Sequence, residues 1–400
     1  MPSPHPFTDD QVPMDLLRQR AYNLRWATLP PGTIALTAAD PDFPAAPAIR
    51  ERIARYALDG VFSYGPAEGL PEFREACARY RVEKRGLATT PDQILAADSA
   101  AAGMRHIAHL LLRPGDEAIV FDPVDFLFKA SVEAAGATVR LLPVDPRTGA
   151  YDFDRLPDLL SPRTRLIGVC NPHNPVGRVL SAAELETLGA FAVRHDLHIL
   201  NDEIWSDIVY PGTQFVSLPA LSPEIAERCW TVHGFSKTYG LAGLRIGYVE
   251  CPNAGGRDRL AEDCLSGTTM TGATTLSQIA ATAALEEAGE WADAWLAHLH
   301  RNRDLAVETL AGLPGVSVRP PEGTYVLFPR VSIGSSTAED VCRRLLEEHG
   351  VAVVPGAARW FGPGAEGHLR IVSSTSEGIL REGLARLARG LAEWPPEPGA

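Results

Sequence analysis

The sequence predicts an α/β protein whose larger domain carries a mostly parallel, doubly wound sheet, with a smaller α+β domain beside it. Three observations carry that prediction. Between residues 90 and 250, short apolar runs alternate with helical stretches in the β-α-β rhythm of a parallel sheet covered on both faces. Residues 278–313 are dominated by Ala, Leu, Glu and Arg and read as one long connecting helix. Beyond it, 316–332 is interrupted by proline, and short segments at 341–348 and 369–372 point to a separate α+β unit.

Taken in order, the first forty or so residues lack the β-α-β pattern and are expected to form an arm packed on the small domain. The expected division is 1–45 for that arm, 46–285 for the large domain, and 286–400 for the connecting helix and small domain. A strand is predicted over 94–97, a helix over 101–112 and, after the Pro114-Gly115 turn, a strand over 117–121. A helical stretch at 129–135 precedes a strand at 166–170. Ser181-Ala-Ala-Glu184 is a capping-box pattern that opens the next helix. Strands at 197–200, 230–233 and 246–250 follow.

Composition narrows the function classes. The 400-residue chain has a formal net charge of −13 at pH 7 and no basic block, which argues against a nucleic-acid or anionic-membrane surface. Hydrophobic content of 45% with 22% charged residues is globular rather than disordered. No apolar run is long enough to span a bilayer, and the start lacks a basic segment leading into an apolar one, so a cytoplasmic protein is expected. The 6 cysteines form no C-x-x-C pair and read as reduced, buried small hydrophobes. With 35 Gly and 33 Pro, the chain is rich in turns and in places where backbone can approach a ligand.

In an open α/β sheet, ligands bind beyond the carboxyl ends of the strands. There the sequence places Asn171 to Asn174 after one predicted strand, Asp202 after another and Ser236-Lys237 after a third. After the first strand, Asp98-Ser99-Ala100-Ala101-Ala102-Gly103 opens a helix with small side chains, which lets backbone N–H groups approach a phosphate. Each residue alone is more often a good helix start or a solvated loop charge. Together, a phosphate seat, a Schiff-base lysine and an acidic partner for a pyridinium nitrogen describe pyridoxal phosphate chemistry.

The segment Ser236-Lys-Thr-Tyr-Gly-Leu-Ala-Gly-Leu-Arg245-Ile-Gly-Tyr resembles the lysine signature of the class I/II aminotransferases, the fold-type I pyridoxal phosphate superfamily. Ala39-Asp-Pro-Asp-Phe-Pro44, Tyr64-Gly-Pro-Ala-Glu-Gly-Leu-Pro71, Asn171-Pro-His-Asn-Pro-Val-Gly177, Asp202-Glu-Ile and His368-Leu-Arg370-Ile match in the family's order over about residues 35 to 375. The resemblance implies pyridoxal 5'-phosphate as cofactor, with Lys237 as its Schiff-base residue and proton carrier. It implies Asp202 on the pyridinium N–H and Asn174 on the phenolic oxygen. Ser236, Arg245 and the backbone at Ser99, Ala100 and Ala101 would hold the phosphate, with Tyr64 supplied by the second subunit of a homodimer. Arg370 would clamp the substrate carboxylate as a planar bidentate donor.

Two departures stand out. Where the family usually stacks an aromatic on the ring, this chain has Asp125, so either Phe126 takes over the stacking or the carboxylate meets a polar substrate. Where transaminases usually carry a Tyr three residues past the pyridinium aspartate, Trp205 can donate but not accept. The 170–179 stretch, 202–207 and 59–64 look closest to the cystathionine β-lyase-like C–S lyase branch, whereas Arg245 in its setting is more typical of aminotransferases. The expectation is therefore a homodimeric enzyme with an amino-acid substrate. C–S β-elimination stands ahead of transamination, and decarboxylation-coupled deamination is a further alternative. A cofactor-binding protein without catalysis is disfavoured by the joint presence of Lys237, Asp202 and Arg370.

Other patterns carry less. Gly362-Pro-Gly-Ala-Glu-Gly367 satisfies G-x-G-x-x-G but precedes a strand-like segment, so it reads as a loop. Gly234-Phe-Ser-Lys-Thr238 lacks the second glycine of a serine-hydrolase elbow. No metal-ligand spacing is present, and His173 has no assigned role.

Overall fold

The computed structural model describes residues 7–393 except 269, 333 and 335. After a short strand β1 (Ile34–Ala35), eight strands build one sheet: β2 (Ile94–Ala97), β3 (Glu117–Asp122), β4 (Thr138–Asp145), β5 (Ala150–Tyr151), β6 (Thr164–Cys170), β7 (His198–Asp202), β8 (Cys229–Gly234) and β9 (Gly247–Glu250). Their spatial order is β2-β9-β8-β7-β6-β3-β4-β5. The five strands β4, β3, β6, β7 and β8 pair in parallel, β9 runs antiparallel between β8 and β2, and β5 lies antiparallel at the outer edge. The carboxyl ends of β2, β3, β6, β7 and β8 therefore share one edge.

The central strands read as continuous apolar runs because helices cover both faces of a parallel sheet. Leu166, Ile167 and Val169 of β6 are wholly buried, as are Ile199 and Leu200 of β7. The crossover helix Ala182–Arg194 begins as its sequence indicates: Ser181 Oγ accepts from the Glu184 N–H at 3.3 Å, and the Glu184 carboxylate accepts from the Ser181 N–H at 2.7 Å.

Two helices differ from the sequence expectation. The helix Phe126–Ala134 starts three residues before the predicted 129 because Asp125 caps it, its Oδ1 accepting from the Leu127 N–H at 3.1 Å. The single long helix expected over 278–313 is two helices, Thr275–Glu287 and Gly289–Ala311. Between them Ala288 leaves helical geometry at φ −104, ψ 17, and it is 1% exposed within the apolar cluster that includes Ala284 and Phe235. Gly289 directly follows, a residue that favours a helix end, and the burial of Ala288 fixes the turn in place.

A second apolar cluster joins Trp26, Ile34 and Leu36 to Leu345, Ile371 and Leu384. Here β1 pairs in parallel with Val351–Ala352. The strand Leu369–Val372 pairs antiparallel with both Val326–Leu327 and Val354–Pro355. The Gly362 to Gly367 stretch is a connection built around one 3-10 turn, Pro363–Ala365, and followed by that strand. Its Gly364 N–H donates to Asp122 Oδ1 at 3.0 Å, which docks it on the end of β3. All six cysteines are free and buried. No helix among the described residues is long and apolar enough to cross a membrane.

Candidate active site

A cavity of about 620 Å³ opens at the shared carboxyl edge of the sheet. Its sheet side is made by residues at or just past strand ends. Asp202, the last residue of β7, pairs in register with Cys170, the last of β6. Its Oδ1 accepts from the Ile204 N–H at 3.0 Å. Burial pushes this carboxyl up to about 7, opposed by the Ile204 N–H and, more weakly, by Lys237.

Three residues beyond β8, Lys237 turns its Nζ to the Ala39 carbonyl oxygen at 3.0 Å, 5.3 Å from the Trp205 ring centre. Burial lowers the Lys237 pKa, against the pull of Asp40, Asp125 and Asp202. Such a lysine is closer to its free-base form than one in solvent, which nucleophilic attack and proton transfer both need.

Beyond β2 the helix Ala100–Leu111 begins at the same edge. Ser99 caps it by accepting from the Ala102 N–H at 3.0 Å, and Arg245 Nη2 donates to the same Ser99 Oγ at 3.0 Å. Free helical N–H groups, a hydroxyl and a guanidinium thus meet at one point, which suits a phosphate. Gly247 at the start of β9 permits this: a Cβ there would stand 2.7 Å from Ala100 N. Arg245 reaches its position through a left-handed backbone, φ 53.

Asn174 and Asp125 are joined twice. The Asp125 N–H donates to Asn174 O at 3.2 Å, and Asn174 Nδ2 donates to Asp125 Oδ2 at 2.7 Å. Asn174 is buried, and its Oδ1 has no partner. Phe126 also lines the cavity, 41% exposed, with its ring edge-on to Trp360 at 5.8 Å. Asp125 is thus a helix cap and an Asn174 partner before any substrate role. Behind it, His173 Nε2 donates to Pro123 O at 2.9 Å while Nδ1 accepts from the Tyr151 hydroxyl at 2.9 Å. A carbonyl can only accept, which fixes this tautomer, and burial lowers the His173 pKa to about 3.

The facing wall comes from both ends of the chain. Arg370, on the strand Leu369–Val372, donates from Nη2 to Thr37 O at 3.2 Å, has no partner for Nε, and stacks 5.2 Å from the Phe361 ring centre. Leu24, Val354, Trp360 and Phe361 complete an apolar and aromatic surface.

The structure therefore brings Ser99, Ala100, Ala101, Asp125, Phe126, Asn174, Asp202, Trp205, Ser236, Lys237, Arg245 and Arg370 to one cavity. Tyr64 is not among its lining residues: it is 88% exposed, in the exposed stretch 58–66. Sequence reasoning missed the aromatic wall of Trp360 and Phe361, for which the Pro- and Gly-rich loop around them gave only a turn signal. It also missed Tyr325, which no local pattern marks, and the role of the Ala39 carbonyl, although Ala39 itself opens one of the matched stretches.

The family model for aminotransferase class I and II matches residues 31–387. An aspartate/prephenate aminotransferase of Thermus thermophilus is 34% identical over 362 residues, 90% of this chain and 91% of that protein. An arginine–pyruvate transaminase of Pseudomonas aeruginosa is 33% identical over 364 residues, 90% of each. Among solved structures, an aromatic aminotransferase from Pyrococcus horikoshii superposes with a TM-score of 0.84 at 29% identity, covering 90% of this chain and 96% of that one. Cystalysin from Treponema denticola reaches a TM-score of 0.87 at 21% identity, covering 94% and 98%, a likeness of fold alone. These matches favour transamination over the C–S elimination that the sequence reading put first.

Proposed function

The chain belongs to the aminotransferase class I and II family, and from that premise we propose that it moves the amino group of an apolar or aromatic amino acid onto a keto acid. It is a fold-type I enzyme, and its cofactor is pyridoxal 5'-phosphate. The residues present fit that group: a carboxyl raised to about 7 on Asp202 and the N–H-rich helix start beside Arg245. When bound, the cofactor supplies an electron sink for charge developing at the substrate α-carbon.

The observation that carries the reading is the convergence of an amine, a buried carboxyl, a guanidinium and a helix start in one cavity. Lys237 binds the cofactor and moves the proton at the α-carbon. Asp202 would pair with the ring nitrogen of the bound cofactor, keeping the ring an electron sink. Ser99, Ala100, Ala101, Ser236 and Arg245 seat the phosphate. Arg370 takes the substrate carboxylate, exchanging Thr37 O for a better, bidentate acceptor. Among the described residues lining the cavity, the cations are Lys237, Arg245 and Arg370, so none of these residues is left over as counter-ion to a second substrate carboxylate. The apolar surface of Leu24, Phe126, Val354, Trp360 and Phe361 supports an apolar or aromatic side chain instead.

A second copy of the chain completes the site in this reading. Leu58, Val61, Phe62 and Tyr64 are 86%, 65%, 61% and 88% exposed, an apolar strip suited to burial between two copies. The division at 1–45, 46–285 and 286–400 belongs to the same proposal and is supported by the separate apolar clusters of the sheet and of the chain ends.

The test combines chemistry and mass. The purified protein should be yellow, and borohydride should fix the cofactor on Lys237; a label on another residue rejects the assignment. Turnover of aromatic amino acids should require an added keto acid. Release of pyruvate, ammonia and thiol from cysteine conjugates without one would restore β-elimination. Solution mass should be that of a dimer.

A further inference from the structure

Tyr325 lies outside every motif read from the sequence, yet the structure carries it to the reacting lysine. It is wholly buried, and its hydroxyl donates to the Ala39 carbonyl oxygen at 3.0 Å. Lys237 Nζ donates to the same oxygen, also at 3.0 Å. Two donors use both lone pairs of that carbonyl.

The surroundings hold this phenol firmly. Thr324, just before it, has φ 69, a left-handed backbone that a β-branched residue rarely adopts. Its N–H donates to Ile208 O at 2.8 Å. Gly323 passes so near that a Cβ would stand 2.8 Å from the same oxygen. The Ser373 N–H and hydroxyl donate to Tyr325 O at 3.0 and 3.2 Å, and Trp205 meets the ring edge-on at 4.7 Å. Strain of this kind persists only where neighbours over-determine it, and here it aims a single hydroxyl.

We propose that Tyr325 is a positioning residue for Lys237, fixing the Ala39 carbonyl as the acceptor to which the lysine nitrogen returns whenever it is not covalently engaged. The inference rests on the reading of Lys237 as the cofactor-binding, proton-moving residue. Two consequences follow from the shared oxygen. When Lys237 is engaged elsewhere, Tyr325 keeps the partly buried carbonyl satisfied, so release and recapture of the lysine leave no orphaned acceptor. A carbonyl already accepting from a phenol also attracts an ammonium less than a free one does. Tyr325 thereby favours the neutral amine, the form that accepts a proton. The groups facing Lys237 are Asp40, Asp125, Arg370 and Asp202, and those facing Tyr325 are Asp40, Arg25, Arg370 and Tyr210. A Tyr325→Phe change leaves all of them in place.

The test uses Tyr325→Phe holoenzyme, which keeps the ring against Trp205 and removes only the hydroxyl. Cofactor content and the borohydride label on Lys237 should match wild type, and KM should stay within about twofold, while the acid limb of the kcat profile moves up by about half to one pH unit. A second readout needs no turnover. Cofactor uptake by the cofactor-free variant should be slower than wild type by about threefold to tenfold below that limb, where more Lys237 is protonated, and equal above it. Labelling on Lys237 with an unshifted profile and unchanged uptake overturns the proposal alone. So does a fall in kcat of the same factor at every pH. A label on another residue overturns the reading of Lys237 and the proposal with it.

Discussion

On the sheet side of the cavity, Ser99, Asp202 and Lys237 stand at the end of a strand or within three residues of one. On the facing side, Leu24, Ala39, Trp360 and Arg370 arrive from opposite ends of the chain. The sheet side is held by its own neighbourhood, through Ile204 on Asp202, Ala102 on Ser99 and Asn174 on Asp125. The facing side is held by contacts between distant segments, Thr37 O accepting from Arg370 and Ala39 O from Tyr325, and the same Ala39 O ties it to Lys237 across the cavity. The first arrangement suits a cofactor that stays in place through the cycle. The second suits a substrate that comes and goes, because Arg370 can exchange Thr37 O for a better acceptor.

The largest effect expected from this contrast is at Asp202. Asp202→Asn should lower kcat by about 100-fold or more, since the amide can no longer match a ring cation. It should also change the pH response of the cofactor-free protein. Burial raises this carboxyl from its ordinary 3.8 to about 7 in the folded protein. The folded state therefore binds the extra proton, and the associated stability is full below the lower value and lost as pH rises through the upper one. Wild type should lose up to roughly 4 kcal/mol relative to Asp202→Asn across that window, read by thermal melts at several pH values. Parallel pH curves for the two proteins would show that the sheet side does not hold this carboxyl as described.

A smaller effect is expected on the facing wall. Arg370→Lys keeps the charge and loses the fork, so KM for amino acids should rise about 10- to 100-fold while cofactor content is unchanged. Loss of cofactor instead would move Arg370 to the other side of the comparison. The smallest effect sharpens the boundary itself. Asp125→Ala removes a helix cap and should cost about 1 kcal/mol of unfolding free energy, whereas Asp125→Asn, which still caps, should cost only a few tenths. If Asp125→Asn also alters the preference among amino-acid substrates, the carboxylate belongs to the substrate wall as well as to the helix.

The sheet side was legible because its signals are local. A strand end, the one to three residues after it and a cap or small-residue helix start all fall within a short window, as at Asp98 to Gly103 or Ser181 to Glu184. Asp125 shows the limit of that reading. Its identity marked a departure from the family pattern, but its capping role emerged only once the helix was seen to begin at Phe126. The break at Ala288 had one local mark, Gly289 directly after it, which an expectation of a single long helix passed over; burial of Ala288 against its apolar neighbours adds a packing contribution that the sequence does not show. Tyr64 stood in a matched motif, yet its exposed position is a property of the surface.

By itself the sequence determined the parallel sheet and the chemical groups at its carboxyl edge. Apolar periodicity and strand-end residues are patterns over a few positions, so they can be read without knowing what the strands pair with. Only the tertiary structure decided which groups share a partner. Tyr325 and Lys237 meet on one carbonyl oxygen although Tyr325 lies 286 residues from Ala39 and Lys237 lies 198. No local preference encodes such a meeting, because it depends on how β1, the central sheet and the strands of the second apolar cluster pack against one another.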